Sequence, residues 1–188
     1  MYNNLSNLIL MGGRNTRMNG FNKGFLTVDQ TTFVDSIASK LAVIAPVYVS
    51  VNSLATNLAY NLIEDEYKNI GPIGGIYSGL KQLETEYVFV TACDMPLVSA
   101  QVAQLLYDAI TPAAPAVVFQ DNSRRLYPLG AIYSKRLLPA IEKQIAAKNY
   151  RLYSLFSDAT IVDLPDAQVA SLTNINTPAD LQKFIASR

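Results

Sequence analysis

The sequence predicts an α/β fold in which a mostly parallel, twisted sheet carries helices on both of its faces. Short apolar runs alternate with helical patterns along the chain, which is typical of stacked strand–helix units. The length of 188 residues suits one domain of ordinary size with a buried core. The most apolar stretch, residues 41–51, is broken by Pro46 and Ser50 and is too short to cross a bilayer. The hydrophobic residues are therefore expected to form a core and not to contact a membrane.

The elements of the first half follow from apolar runs and helical spacing. Residues 8–11 form an apolar run that predicts a buried first strand. Apolar residues recur at helical spacing over residues 33–44 and predict a helix. Residues 47–51 are rich in β-branched and aromatic side chains and predict a second strand. The other elements predicted in this half are a short strand at 62–63, a helix at 74–83, a strand at 87–91 and a helix at 100–110.

The second half is less regular, but it continues the same pattern. Its predicted elements are strands at 116–119 and 129–133, a helix at 134–147, a strand at 160–164 and a closing helix at 178–187. Thr177 is a natural N-cap for that last helix, and Pro178 occupies its favoured first position. The sequence contains no internal repeat. We therefore expect a single domain over residues 1–188 with two lobes, about 1–110 and about 115–188.

The composition excludes several kinds of chemistry. The chain has no His and one Cys, which excludes Ser-His-Asp catalysis, an internal disulfide framework and a multi-Cys zinc site. Its 15 basic residues equal its 15 acidic residues, and a net charge of zero argues against nucleic acid as a partner. The N-terminal residues lack the features of a signal peptide, so a cytoplasmic location is expected. Carboxylates, lysines, backbone amides and a hard metal ion remain available for catalysis.

The loop after the first strand has the features of a phosphate-binding loop. Gly12 and Gly13 allow backbone N–H groups to approach a phosphate closely, and Arg17 and Lys23 supply positive charge. The loop is not a Walker A motif, because Lys23 is followed by Gly24. The alternative is a flexible surface loop with solvated basic side chains.

An aspartate directly after a fully apolar strand is the second candidate. Burying the carboxylate of Asp94 costs several kcal/mol unless it is paired or metal-bound. Mg²⁺ suits the position, since this ion is typically held by one or two carboxylates together with substrate phosphates. The alternative is an Asx-turn before Pro96, and we expect the neighbouring Cys93 to be a small apolar residue and not a nucleophile.

Two further segments carry weaker signals. Asn52 follows the second strand, where an ordinary turn residue is the more frequent interpretation. The glycine-rich turn over residues 71–75 opens a helix, so it predicts either an anion or base-edge site or a tight packing turn. Taken together, the loops suit a nucleoside triphosphate held by backbone amides and Lys23, with Mg²⁺ on Asp94, and a displacement at phosphorus.

Four motifs resemble those of known nucleotidyltransferases. Residues 10–23 are similar to the L-A-G-G-x-x-x-R-M-G-x-x-K signature of the sugar-nucleotide type. Residues 71–75, 93–96 and 174–178 resemble G-P-L-A-G, C-D-x-P and N-x-N-T-P, which occur in this order in the molybdenum cofactor guanylyltransferase family. The resemblance extends from Leu8 to Leu181, nearly the whole chain.

The resemblance implies a reaction and an architecture. The reaction is transfer of GMP from GTP to the terminal phosphate of molybdopterin, with release of pyrophosphate. The fold implied is the Rossmann-like, three-layer architecture of nucleotide-diphospho-sugar transferases. The first lobe would then bind the nucleotide and the second the molybdopterin. Transient contacts with other proteins of molybdenum cofactor biosynthesis, or with recipient enzymes, are also implied.

The resemblance also assigns roles to individual residues. The residues implied to hold the triphosphate are Leu10, Met11, Gly12, Gly13 and Lys23, with Arg17 offsetting phosphate charge. The residues implied to contact the nucleotide are Asn52 and Asp65, together with Gly71 and Gly74 of the glycine-rich turn. Asp94 would bind Mg²⁺, and Asn174 and Asn176 would lie towards the pterin.

Two positions depart from the family pattern. Met11 stands where Ala is usual, and we expect it to crowd the loop near the guanine. Asn19 stands where Gly is usual, although Asn tolerates positive φ well. Three alternative functions stay open: cytidylyl transfer to molybdopterin, nucleotidyl transfer to another phosphorylated metabolite, and nucleotide binding by a regulatory protein without catalysis.

Overall fold

The computed structural model describes residues 1–11, 23–54 and 58–186. The strands are β1 (Leu5–Leu10), β2 (Thr27–Val28), β3 (Thr31–Thr32), β4 (Val47–Val51), β5 (Asn61–Glu64), β6 (Tyr87–Ala92), β7 (Ala116–Gln120), β8 (Ala131–Ser134) and β9 (Thr160–Asp163). The α-helices are α1 (Phe33–Leu41), α2 (Pro72–Gln82), α3 (Ala100–Asp108), α4 (Leu138–Ala146) and α5 (Pro178–Ala186). Short 3₁₀ helices lie at Lys23–Phe25, Lys135–Leu137, Leu152–Leu155, Asp166–Gln168 and Ala170–Leu172.

A seven-stranded sheet with the order β5-β4-β1-β6-β8-β7-β9 forms the centre of the molecule. Strands β5, β4, β1 and β6 are parallel neighbours, and β7 is parallel to β9. Strand β8 runs antiparallel to both β6 and β7. The prediction of a mostly parallel sheet is therefore confirmed. The strand order reverses at β1, whose two neighbours β4 and β6 belong to successive parts of the chain.

Helices cover both faces of this sheet. Residues of α1 and α3 share one core with side chains such as Ile9 and Val49, which point to the same face. Residues of α2 and α4 share the second core with Leu8, Leu10 and Val90. This alternation follows from the period of two in a strand, and it produces three layers. In the part of the chain that the structure describes, no helix combines the length and apolar character that a bilayer span requires.

Most predicted elements agree with the structure to within a few residues, and two differences have clear causes. The predicted helix 134–147 is divided into a 3₁₀ turn and α4, because Pro139 lacks an N–H and favours the first turn of a new helix. The hairpin of β2 and β3 was not predicted. Asp29 and Gln30 adopt positive φ at its turn, and this pair lacks the Asn-Gly or Asp-Gly signal of such turns.

The last helix packs against the first one. Phe184 of α5 contacts Phe33 of α1 edge to face, and Ile175 joins the same small core. The predicted start of α5 is confirmed: the Thr177 hydroxyl accepts a hydrogen bond from the Asp180 backbone N–H, and the Asp180 carboxylate accepts one from the Thr177 N–H. This packing holds the segment before α5 next to the residues that follow β6.

Candidate functional site

The carboxyl ends of the parallel strands β5, β4, β1 and β6 form one edge of the sheet, which we call the carboxyl edge. Backbone hydrogen bonds join the residues at this edge. The Cys93 N–H donates to the Leu10 carbonyl at 3.1 Å, and the Met11 N–H donates to the Ser50 carbonyl at 3.0 Å. The Asp65 N–H donates to the Val51 carbonyl at 2.8 Å. The loops after β1, β4, β5 and β6 therefore start from one edge of the sheet, at the reversal of strand order where ligands bind in open α/β folds.

Asp65 is a nearly buried carboxylate at this edge, with 5% of its surface exposed. Its Oδ1 accepts a hydrogen bond of 2.5 Å from the Ser50 hydroxyl. Burial raises the pKa of the Asp65 carboxyl, and the Ser50 hydrogen bond and the charge of Lys68 act against this rise. Only the resemblance singled out Asp65 among three consecutive acidic residues; its burial distinguishes it from Glu66, which is exposed.

The glycine-rich turn before α2 combines an open position with two packed ones. Gly71 adopts a φ of +83° and has open space where a Cβ would stand. A Cβ on Gly74 would overlap the Tyr67 carbonyl, and one on Gly75 would lie 2.5 Å from Ser50 Oγ. The Gly74 N–H is donated to the Gly71 carbonyl. The sequence predicts either a tight packing turn or an anion or base-edge site here. Gly74 and Gly75 are closely packed, as in a packing turn, whereas the space beside Gly71 is open.

Asp94 lies on the turn after β6 and is half-buried. Its Oδ1 accepts a hydrogen bond of 2.9 Å from the Asn174 side-chain amide, and its backbone carbonyl accepts one of 2.8 Å from the Ile175 N–H. Asn174 thus lies at the aspartate, a contact that sequence reasoning did not identify. The two residues are 80 positions apart, and nothing in the local sequence of either indicates the other.

The donors at Asp94 fit a Mg²⁺ site completed by substrate. Among the described residues, no group of three or more His, Cys, Asp or Glu side chains is arranged to hold a metal ion. Asp94 provides one hard carboxylate, and Mg²⁺ usually takes one or two carboxylates plus phosphate oxygens and water. The residues present thus fit a metal ion that arrives with a nucleotide.

Several predicted residues have less defined surroundings. Asn52 is half-buried on the bend directly after β4. Asn176 is exposed, and its backbone N–H donates to the Asp180 carboxylate at 3.1 Å. Lys23 is the first residue of the 3₁₀ helix Lys23–Phe25. The other predicted residues of the first loop, Gly12, Gly13 and Arg17, lie outside the described residues, as does Asn19.

The loop that Met11 is expected to crowd lies outside the described residues, so this expectation stays a prediction. The Met11 side chain is only 5% exposed and belongs to the core shared with α1 and α3. Leu10 is similarly buried, but it belongs to the opposite core, and a Cβ on Gly75 would lie 2.9 Å from Leu10 Cδ2. The side chains of this pair therefore alternate between the two faces, as they would in a continuing strand.

Comparison with known proteins identifies the family. The family model of the MobA-like NTP transferase domain matches residues 7–163. The chain belongs to the MobA-like NTP transferase family. A relative from Flavobacterium johnsoniae, a probable molybdenum cofactor guanylyltransferase, is 32% identical over 184 residues, which cover 94% of each sequence. This member of the MobA-like family is therefore a nucleotidyltransferase.

Two solved structures show the same fold. Molybdopterin-guanine dinucleotide biosynthesis protein A from Archaeoglobus fulgidus has a TM-score of 0.82 and 21% identity, and the match covers 97% of this chain and 98% of that one. The 2-C-methyl-D-erythritol 4-phosphate cytidylyltransferase of Thermus thermophilus has a TM-score of 0.70 and 17% identity, with 97% of each chain covered. The expected nucleotide-diphospho-sugar-transferase-like architecture is confirmed for this MobA-like protein.

Proposed function

We propose that this nucleotidyltransferase transfers GMP from GTP to the terminal phosphate of molybdopterin, releasing pyrophosphate. One observation carries the proposal: Asp65 and Asp94 both lie at the carboxyl edge of the sheet. It is supported by a 32% identical relative that is named a probable molybdenum cofactor guanylyltransferase. In the reaction, an oxygen of the molybdopterin phosphate attacks the α-phosphorus of GTP. The bond between the α- and β-phosphates breaks, and pyrophosphate leaves with its electron pair.

The surroundings of Asp65 support a role in binding the base. An ionised carboxylate only accepts hydrogen bonds, and it repels phosphates, so Asp65 suits the base or the ribose better than the triphosphate. The edge of guanine carries N1–H and the 2-amino group side by side, which are two donors for one carboxylate. The same edge of cytosine offers a single amino donor, followed by the two acceptors N3 and O2. This difference favours GTP over CTP as the nucleotide.

The surroundings of Asp94 support a metal-assisted reaction. We include Mg²⁺ in the proposal, held by Asp94 together with phosphate oxygens of GTP, where it would neutralise charge on the phosphates. Asn174 donates to Oδ1 of Asp94 and thereby orients the carboxylate. Lys23, Arg17 and the backbone amides of Gly12 and Gly13 are proposed to bind the triphosphate.

The second substrate is proposed to approach from the side of α5. The segment from Asn174 to Asn176 connects Asp94 to the start of that helix. This supports a molybdopterin site between Asp94 and the second lobe, with the lobes divided at about residues 110–115. A cytoplasmic location and transient contacts with other proteins of molybdenum cofactor biosynthesis, or with recipient enzymes, belong to the same proposal.

Labelled GTP tests the reaction directly. Purified protein is incubated with molybdopterin, Mg²⁺ and GTP carrying the label on either the α- or the γ-phosphorus. We expect the α-label in a molybdopterin dinucleotide and the γ-label in pyrophosphate. CTP and ATP in place of GTP measure base selection, and omission of Mg²⁺ measures the metal requirement.

The possible results separate the remaining functions. Faster product formation from CTP would replace the proposal by cytidylyl transfer. Transfer to a different phosphorylated metabolite, with none to molybdopterin, would change the acceptor. Nucleotide binding without any release of pyrophosphate would indicate a regulatory protein.

A further inference from the structure

Ser50 is a fully buried polar residue that no part of the proposed reaction uses. It lies in the interior of the sheet on β4, with 1% of its surface exposed, and β1 and β5 pair with it on either side. Its hydroxyl donates to Asp65 Oδ1 at 2.5 Å. A buried hydroxyl on a strand that is paired on both sides has little freedom, so this hydrogen bond anchors the Asp65 carboxyl to the sheet.

The backbone of α2 packs closely against this pair on the side of Asp65 Oδ1. A Cβ on Gly75 would stand 2.5 Å from Ser50 Oγ and 3.4 Å from Asp65 Oδ1, so the bare backbone of α2 lies against both groups. The Asp65 N–H is also fixed, because it donates to the Val51 carbonyl. Within the described residues, Oδ1 is paired with Ser50, and Oδ2 has no hydrogen-bond partner.

We propose that Ser50 is the positioning residue for nucleotide selection: it holds Asp65 Oδ1 so that Oδ2 is presented to the N–H donors of the base. This inference rests on the proposed function. Ser50 itself does not touch the nucleotide. Without the hydroxyl, the carboxyl loses its anchor to the sheet, rotates more freely and accepts hydrogen bonds from guanine less well.

The chain contains a matched control for this pair. The Ser134 hydroxyl, also fully buried on a strand of the same sheet, donates to the Glu86 carboxylate at 2.6 Å. Ser134 pairs with Tyr87 at the amino end of β6. The amino ends of the parallel strands form the edge of the sheet opposite to Asp65, which we call the amino edge. Ser50→Ala and Ser134→Ala therefore each remove a buried serine–carboxylate hydrogen bond, one at the site and one away from it. Ser134→Ala also removes an oxygen that accepts from the N–H and the Nε of Arg136.

The experiment compares nucleotide binding by the wild type, Ser50→Ala and Ser134→Ala. Dissociation constants are measured by calorimetry for GTP, for inosine triphosphate, which lacks the 2-amino group, and for inorganic tripolyphosphate, which lacks the base. We expect Ser50→Ala to weaken GTP binding by about tenfold, the scale of a lost hydrogen bond to a charged group. The preference for GTP over inosine triphosphate should shrink, and tripolyphosphate binding should not change. In turnover, the loss should appear in KM for GTP and not in kcat.

A double substitution tests whether Ser50 acts through Asp65. If it does, Ser50→Ala changes GTP affinity in the wild type but not in the Asp65→Asn background, because the group that it positions is already altered. Additive losses in the two backgrounds would overturn the inference. Thermal unfolding of Ser50→Ala and Ser134→Ala provides the control for stability, and we expect Ser134→Ala, which loses more hydrogen bonds, to lower Tm at least as much as Ser50→Ala.

The failure of this inference can be distinguished from the failure of the proposed function. If the wild type prefers GTP and Ser50→Ala retains the same affinities as Ser134→Ala, the role of Ser50 is wrong and the proposed function is untouched. If the wild type binds GTP no better than CTP and inosine triphosphate, guanine selection fails, and the role of Ser50 fails with it.

Discussion

The two edges of the central sheet contain the same chemical pair in different surroundings. At the carboxyl end of β4, Ser50 donates to Asp65, and at the amino end of β6, Ser134 donates to Glu86. Asp65 is 5% exposed and lies against the backbone of α2, whereas Glu86 is half-buried. A second aspartate, Asp94, is attached to the carboxyl edge through the hydrogen bond between Cys93 and Leu10.

This difference shows that a serine–carboxylate pair alone does not indicate a site. At the amino edge, the backbone groups of Glu86 are already hydrogen-bonded within the protein. The Glu86 N–H donates to the Asn4 side-chain oxygen, and the Glu86 carbonyl accepts from the Lys135 N–H. At the carboxyl edge, the strand order reverses, which is the place where ligands bind in open α/β folds. The comparison predicts that substitutions at the carboxyl edge change catalysis and that equivalent substitutions at the amino edge do not.

The largest effect is expected from Asp94. Asp94→Ala should reduce turnover by about 100-fold or more, the scale of one lost group that stabilises charge in a transition state. Circular dichroism and Tm should remain close to the wild type, since the residue is half-buried on a turn. Steady-state release of pyrophosphate measures the effect. Glu86→Gln is the matched change at the other edge, and near-normal turnover in Asp94→Ala would contradict the site.

The next effect concerns stability and separates two neighbouring glycines. Gly74→Ala forces a Cβ into the Tyr67 carbonyl and should destabilise the fold by about 2 kcal/mol, the usual scale of overpacking. Gly71→Ala meets no atoms within 4 Å, so only its φ of +83° resists the change. Chemical denaturation of both variants, with GTP affinity measured beside it, provides the comparison. A greater loss of stability in Gly71→Ala would refute this division of roles.

Features of the carboxyl edge are predictable from the sequence where they depend on neighbouring residues, and not where they depend on contacts between residues far apart in the chain. The strands, the helices and the positions of Asp94 and Asn52 after them follow from local patterns, because apolar periodicity reflects the faces on which each element is buried. The burial of Asp65 and its contact with Ser50 are not local. They arise when β5 pairs with β4 and the glycines of α2 pack against both, so the sequence alone leaves three acidic neighbours equivalent.

The second half was harder to interpret for the same reason. Its contribution to the carboxyl edge depends on α5, which packs through Phe184 onto Phe33 of the first half. The face on which Met11 lies does not follow from the sequence, because a residue just past a strand either continues the alternation of faces or turns into the loop. The structure shows that it continues the alternation.

A smaller effect on catalysis is expected from Asn174. Asn174→Ala removes the amide that donates to Asp94 at 2.9 Å, and turnover should decrease by about tenfold, the scale of one hydrogen bond to a charged group. Asn149→Ala, an exposed substitution in the same half of the chain, is the control. If Asn174 acts only through Asp94, its substitution has no further effect in an Asp94→Ala background. Independent losses would assign it a separate contact with substrate.

The smallest effect is expected from pH, and it concerns the carboxyl of Asp65. Burial raises the pKa of Asp65 above its ordinary value of 3.8, with Lys68 lowering it and Glu64 raising it from nearby. The ionised form accepts hydrogen bonds from the base, so GTP affinity should decrease as the pH falls through this raised pKa.

Because the folded protein holds the Asp65 proton more tightly than the unfolded chain, the contribution of Asp65 to stability is fully present below pH 3.8 and is lost as the pH rises through the folded pKa. Affinity and stability therefore depend on pH in opposite directions. Titrations of the wild type and Asp65→Asn by calorimetry and denaturation isolate both effects, since the titration of GTP itself is common to the two proteins. Identical pH profiles in the two proteins would show that Asp65 does not contact the nucleotide in its ionised form.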